Sequence, residues 1–297
     1  MRRLSLFGPV ALLLSTAASA GTLDVSLDTT DFHFSNSGAA GPVSLSVPFI
    51  SGGSASADYG QLKVETFSGE VPGPFITHYE DNQTARASFT DSANFGNLTG
   101  VTAGTLTFSF MLDGSEVGSA TGAGLSLGAF SFDLAVVQNG AEVGSFHALR
   151  ERSSTAGSTV ESATIAYGGG AASEVGVAAL FSTWTITVPF VAALGPLSFS
   201  ASALCHSAYQ NDTPIGPGVG GKCDAAHTIT WGGVVSATNQ TGQAFSGLSL
   251  TGSNGFNYAL GYGQQAVPEP AGMALLGVGI VLAGSARRRR KVAALVA

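Results

Sequence analysis

Leu106, Phe108, Phe110 and Leu112 occupy alternate positions of one short run, with Thr107, Ser109 and Met111 between them. Only an extended chain puts every second side chain on the same side, so this run dictates a strand with one buried face. The pattern returns at Val43, Leu45, Val47 and Phe49, and at Phe130, Phe132, Leu134 and Val136. It returns again at Trp184, Ile186, Val188 and Phe190, then at Leu197, Phe199, Ala201 and Ala203. No window carries a capped apolar stripe of helical period; residues 171–180 come nearest and predict at most a weak helix. Glycine points the same way. The chain has 41 in 297 residues, roughly one in seven against a usual ~7%, and glycine weakens helices while serving tight turns. The expected fold class is all-β, a jelly-roll-like β-sandwich formed as one domain over residues 21–266. Residues 168–172 are the best candidate for an internal hinge.

Turn chemistry supports strands. Asn139-Gly140 lies between two apolar runs, and Asn-Gly is a hairpin signal because both residues tolerate positive φ. Asp113-Gly114 predicts a second hairpin. The two share a longer pattern, Asp113-Gly114-Ser115-Glu116-Val117-Gly118-Ser119 against Asn139-Gly140-Ala141-Glu142-Val143-Gly144-Ser145. Two copies fit two similar hairpins in one sheet system better than a repeat architecture.

Charge is concentrated at the ends. Arg2 and Arg3 precede a mostly apolar stretch and the small-residue site Ala18-Ser19-Ala20, which together read as a secretory signal over residues 1–20, cleaved before Gly21. Between residues 21 and 266 the cations are Lys63, Arg86, Arg150, Arg152 and Lys222, against all of the chain's 19 Asp and Glu except Glu269. A body this acidic repels phosphate backbones and excludes nucleic-acid binding. At the other end Val267-Pro268-Glu269-Pro270 leads into an uncharged, largely apolar run over residues 271–286, then Arg287, Arg288, Arg289, Arg290 and Lys291. A helix over residues 271–286 rises about 24 Å, just short of the ~30 Å hydrocarbon core. Snorkelling arginines and local thinning close that gap, giving a single transmembrane helix. The basic cluster stays cytoplasmic and sets the orientation, with the body beyond the inner membrane.

Pro268-Glu269-Pro270, a short apolar helix and an Arg-rich end, in that order at the end of an exported chain, resemble the PEP-CTERM sorting tail. The resemblance covers residues 267–291, with residues 292–297 as an extension. It implies that an exosortase, a membrane enzyme, recognises Pro268, Glu269 and Pro270 and processes the protein. The product would then leave its transient hold on the inner membrane for the cell surface or extracellular matrix of a Gram-negative-type bacterium. The stretch from Trp231-Gly232-Gly233 to Tyr258 loosely resembles the final strands that precede such tails, which implies position and no activity.

Catalytic motif look-alikes occur in the body without the context their chemistry needs. Gly124-Leu125-Ser126-Leu127-Gly128 fits the G-x-S-x-G nucleophile elbow, but an elbow needs a helix after the serine and residues 129–136 read as strand. Gly216-Pro217-Gly218-Val219-Gly220-Gly221-Lys222-Cys223 approaches a phosphate-binding loop, yet Cys223 stands where a hydroxyl belongs and no helix pattern follows. Cys205 and Cys223, the only cysteines, read as a disulfide in an exported chain, stapling the Pro/Gly-rich stretch between Tyr209 and Gly221. The competing reading is a zinc site with His206 and His227, although no close pair of cysteines is present. His78-Tyr79-Glu80-Asp81-Asn82 and the set Asp24, Asp28 and Asp31 are candidate calcium ligands without a matching loop.

These readings predict no catalytic residues, no metal and no cofactor. The body is expected to be structural or adhesive. The alternative is a module binding carbohydrate, such as exopolysaccharide, by stacking sugars on Tyr59, Tyr79, Tyr209, Tyr258 and Tyr262. A secreted hydrolase ranks third.

Overall fold

The computed structural model describes residues 21–29, 33–39, 41–47, 52–68, 79–114, 116–117, 125–155, 158–211 and 221–265. The chain divides into two units, Met1–Tyr262 and Gly263–Ala297, and the described part of the first is almost entirely strand. In chain order the strands are β1 (Thr22–Thr29), β2 (His33–Gly38), β3 (Val43–Val47), β4 (Gly52–Asp58), β5 (Gln61–Phe67) and β6 (Tyr79–Gly96). They continue as β7 (Ala103–Asp113), β8 (Glu116–Val117), β9 (Leu125–Gln138), β10 (Ala141–Thr155), β11 (Ser158–Tyr167) and β12 (Ser173–Glu174). After a single helical turn, α1 (Val177–Leu180), come β13 (Thr183–Val191), β14 (Leu197–Asn211), β15 (Lys222–Asn239) and β16 (Ser249–Gly252).

Every described pairing is antiparallel. The first sheet runs β12-β11-β10-β9-β14-β6-β1-β2, with β16 also on β6; the second runs β13-β7-β15-β5-β4-β3, with β8 on β15. The sheets lie face to face in the same order: β10 meets β13, β14 meets β15 and β5, β6 meets β5 and β4, and β1 meets β4 and β3. The result is the expected all-β sandwich.

Alternation fills the space between the sheets. Leu106, Phe108, Phe110, Leu112, Phe130, Phe132, Leu134, Val136, Ile186, Val188, Phe190, Leu197, Phe199, Ala201 and Ala203 are all buried. Aromatic rings give the core its bulk. Phe199 and Tyr258 stack at 4.4 Å with planes 10° apart, and Trp231 meets both edge-on. Phe110 packs against Phe132 and Phe146. Burying each such side chain stabilises the fold by about 1.5–3 kcal/mol.

Three local expectations change. Of residues 171–180, only Val177–Leu180 is helical, and Ser173–Glu174 pairs with β11 instead. Gly168 and Gly169, at φ 55° and 71°, turn the chain there within one sandwich. Asn139 and Gly140, at φ 50° and 77°, make the expected hairpin between β9 and β10. Asp113-Gly114 makes none: β7 and β8 pair successively with the same strand, β15, so the chain runs on past Gly114 without reversing. Gly114 has no positive φ, and its lack of a side chain serves contact instead, since a Cβ there would meet the Phe181 ring at 2.7 Å. The two similar Asx-Gly pairs therefore adopt unlike structures.

Candidate functional site

Strand register brings together residues far apart in sequence, and the densest such meeting is around Asp91 on β6. Its carboxylate is 5% exposed. Oδ1 accepts from the backbone N–H of Ser92 at 2.8 Å, the N–H of Ser253 at 3.1 Å and the Ser253 hydroxyl at 2.6 Å. Oδ2 accepts from the Tyr258 hydroxyl at 3.1 Å. The Ser253 hydroxyl in turn accepts from the backbone nitrogen of Gly21 at 2.8 Å. The beginning of the body, its central strand and the turn after β16 thus converge on one carboxylate. Glycine makes room for it: a Cβ on Gly252 would lie 2.0 Å from Asp91 Oδ2.

Tyrosines surround this junction. Tyr258 is fully buried, and burial followed by the charge of Asp91 pushes its hydroxyl far above the usual range. Tyr59 is pushed up to about 12, first by burial and then by Asp91 and Asp58. Tyr262 donates to Asp58 Oδ2 at 2.9 Å and is also pushed up to about 12, by burial and by that bond. Tyr59, Tyr209 and Tyr258 are 2%, 1% and 0% exposed. They are core residues, so they offer no ring face for stacking on sugars. Alternation conceals this, because a tyrosine at an inward position fills core space and hydrogen-bonds at its tip.

Cys205 and Cys223 form a disulfide, S–S 2.04 Å, with both residues buried. It joins β14 of the first sheet to β15 of the second. Cys205 lies within β14, which continues to Asn211, and Cys223 lies within β15, which begins at Lys222. The bond therefore ties layer to layer, a wider role than the loop staple expected. Its sulfurs are not available to the zinc reading; His206 meets the Thr84 hydroxyl at 3.1 Å on the outer face.

Ser126 sits in β9 and is 2% exposed. The strand context removes the elbow, as the sequence suggested. Two acid–histidine pairs escaped the sequence reading because only register reveals them: His33 with Asp28, and His147 with Asp133 at 2.7 Å. Ser202 lies opposite Asp133 on the other side. The order across the sheet is Ser202, Asp133, His147, with strands ~4.8 Å apart. Histidine and serine are thus about two strand spacings apart, too far for the histidine to take the serine's proton. Arg150, 8% exposed, binds Glu161 Oε1 through Nε and Nη2 at 3.1 and 2.6 Å and lies over the Phe181 ring.

The calcium candidates do not gather. Asp81 accepts from Gln83 inside the fold, Asp24 and Asp28 lie on the outer face of β1, and His78 and Asp31 fall outside the described residues. Among the described residues no three of His, Cys, Asp and Glu are placed to share an ion. A polar groove of about 410 Å³ does open on the outer face of the first sheet, lined by Asp24, Ser26, Ser35, Asn36, Arg86 and Ser88.

The leader at residues 1–20, the glycine loop at residues 216–220, Pro268, Glu269 and Pro270, the apolar run and the cluster Arg287–Lys291 lie outside the described residues. Among the described residues no helix is long and apolar enough to cross a membrane. No curated protein and no solved structure matches the chain. One family model does match, over residues 266–291, and it is that of the PEP-CTERM protein-sorting motif. That motif implies an exported protein processed by an exosortase-type membrane enzyme. Pro268-Glu269-Pro270, the apolar run and the arginines thus form a tail that carries the PEP-CTERM protein-sorting motif.

Proposed function

We propose that the protein is a structural component of the cell surface or extracellular matrix. It is exported with loss of residues 1–20, held briefly at the inner membrane by its tail, and released by an exosortase acting at Pro268, Glu269 and Pro270. The body has no chemistry of its own in this reading. The observation that carries it is the sorting motif joined to a sandwich whose strands are tied side to side by paired hydroxyls. Thr105 bonds Thr238 at 2.7 Å, Thr107 bonds Thr187 at 3.1 Å, Ser92 bonds Ser198 at 2.8 Å and Thr22 bonds Thr90 at 2.8 Å. Such cross-strand hydroxyl pairs stiffen a sheet and leave a hydrated surface. Within the first unit Gly21 and Tyr262, its last residue, lie in one neighbourhood: Gly21 is bonded to Ser253, and Tyr262 to Asp58 beside Tyr59. Immunolabelling of cells with and without the exosortase tests this; the reading predicts surface label only when the enzyme is present, and equal surface label in both would contradict it.

The groove at Arg86 favours a second reading, carbohydrate binding. Its hydroxyls, amide, carboxylate and guanidinium are the groups that hydrogen-bond sugar hydroxyls, and they offer a candidate surface in place of the buried Tyr59, Tyr209 and Tyr258. Retention of the exported protein on the host's exopolysaccharide, lost in Arg86→Ala, would favour it over a purely structural role. No retention would leave the structural reading alone.

A further inference from the structure

We propose that the α-ammonium group freed at Gly21 by leader removal is itself a ligand of this fold, received by a site made of Ser253 and Asp91. The inference rests on the export reading above. In the precursor the Gly21 nitrogen is a neutral amide with one proton. Hydrolysis of the Ala20–Gly21 bond adds water across it, leaving a carboxylate on the departing leader and an ammonium on Gly21. That positive charge arises at a nitrogen 2.8 Å from the Ser253 hydroxyl, which is 2.6 Å from Asp91 Oδ1.

One observation points to a cation here, and a second fixes the residue that carries it. Asp91 is 5% exposed and accepts four hydrogen bonds, yet among the described residues no Lys, Arg or His is paired with it. A buried carboxylate without a countercharge is costly, and an ammonium at this position supplies one. The second observation is steric. A Cβ on residue 21 would lie 2.7 Å from the Thr90 carbonyl oxygen and 2.7 Å from the Tyr59 hydroxyl. The first residue of the mature chain therefore has to be glycine for its nitrogen to reach Ser253. A leader cut one residue earlier or later would misplace the charge by about 3.5 Å.

The consequence is a lock closed by export. Gly21 immediately precedes β1, and Ser253 follows β16, the last strand before the sorting tail; the new charge ties both to β6. The disulfide also requires an oxidising compartment. In the precursor the Gly21 amide reaches Ser253 without a charge and the disulfide is unformed; the exported body gains the charge and the disulfide together.

The titratable groups facing the nitrogen are Asp91 on β6, Tyr59 in the β4–β5 turn and Tyr258 beyond β16, with Asp58 and Tyr262 behind Tyr59. The tyrosines stay neutral through the range in which an amine titrates. An ordinary α-amino group titrates at about 7.7–8.0. Held by Asp91 it stays charged to higher pH, so its contribution to stability is full below the ordinary value and fades as pH rises through the raised one.

The test uses exported, disulfide-bonded protein whose start at Gly21 is verified by mass spectrometry. NMR titration of the Gly21 amine should give a midpoint about one pH unit above the ordinary value, about tenfold tighter proton binding. Asp91→Asn should return it to the ordinary value, and Ser253→Ala should return it partway. Acetylating the amine of the unmutated protein should lower its thermal midpoint at pH 7 and remove the decline between pH 8 and 10. An amine that titrates normally, with acetylation neutral at every pH, would overturn the proposal alone. A mature chain starting elsewhere would overturn it together with the assigned leader cleavage.

Discussion

Cys205 and Cys223 are bonded across the two layers of the sandwich, one from the middle of β14 and the other from the start of β15. With a sequence separation of 18, the loop-entropy account gives about 3 kcal/mol. Reduction, or Cys205→Ala with Cys223→Ala, should lower the thermal midpoint by roughly 6–12 °C for a domain of this size. Because the bond joins sheets, hydrogen exchange should accelerate along both β14 and β15; acceleration confined to the residues nearest Asn211 and Gly221 would contradict the inter-sheet role.

Tyr258→Phe keeps the ring stacked on Phe199 but removes the donor to Asp91 Oδ2. Leaving that buried acceptor short should cost about 1–3 kcal/mol in urea unfolding. Phe199→Ala, which empties the centre of the aromatic cluster, should cost more, about 3–5 kcal/mol. A Tyr258→Phe loss below a few tenths would mean that the Asp91 junction does not hold the segment before the tail.

His206 gives a pH dependence of known sign. Burial lowers its pKa, partly offset by a backbone hydrogen bond with Gln83. The folded protein therefore resists protonating it, and stability should fall as pH drops below the ordinary histidine value of about 6.5. Replacing it in His206→Gln should flatten that acid-side decline in a series of denaturation curves. An unchanged decline would place the effect on other groups.

Gly140→Ala forces a residue with a side chain into φ 77° and should destabilise the β9–β10 hairpin by about 1–2 kcal/mol. Gly114→Ala acts through the Phe181 ring instead. Pairing it with Phe181→Ala should recover part of the loss, while no second-site change at a neighbouring ring should rescue Gly140→Ala.

These contrasts show what the chain states in its own letters. Period-two runs such as 106–112 and 130–136 declare strands, and Asn139-Gly140 declares its turn, because both signals are local. Asp113-Gly114 looks the same locally and behaves otherwise, since β15 captures β8 before the chain can reverse. The sorting tail was legible as an ordered set of neighbouring features. The Asp91 junction was not, because it unites residues 21, 91, 253 and 258 through strand order alone, as register also unites Asp133 with His147. Tyr59, Tyr209 and Tyr258 misled for the same reason: their exposure depends on which face the opposite sheet covers.

The central claim is export with processing at both ends, and intact-mass analysis of protein collected from the cell surface or medium tests it most directly. The account predicts a chain that begins at Gly21, lacks everything beyond the Pro268-Glu269-Pro270 region, and is two hydrogens lighter for its disulfide. A mature chain that still carries Met1 or the run Arg287–Lys291 would contradict it.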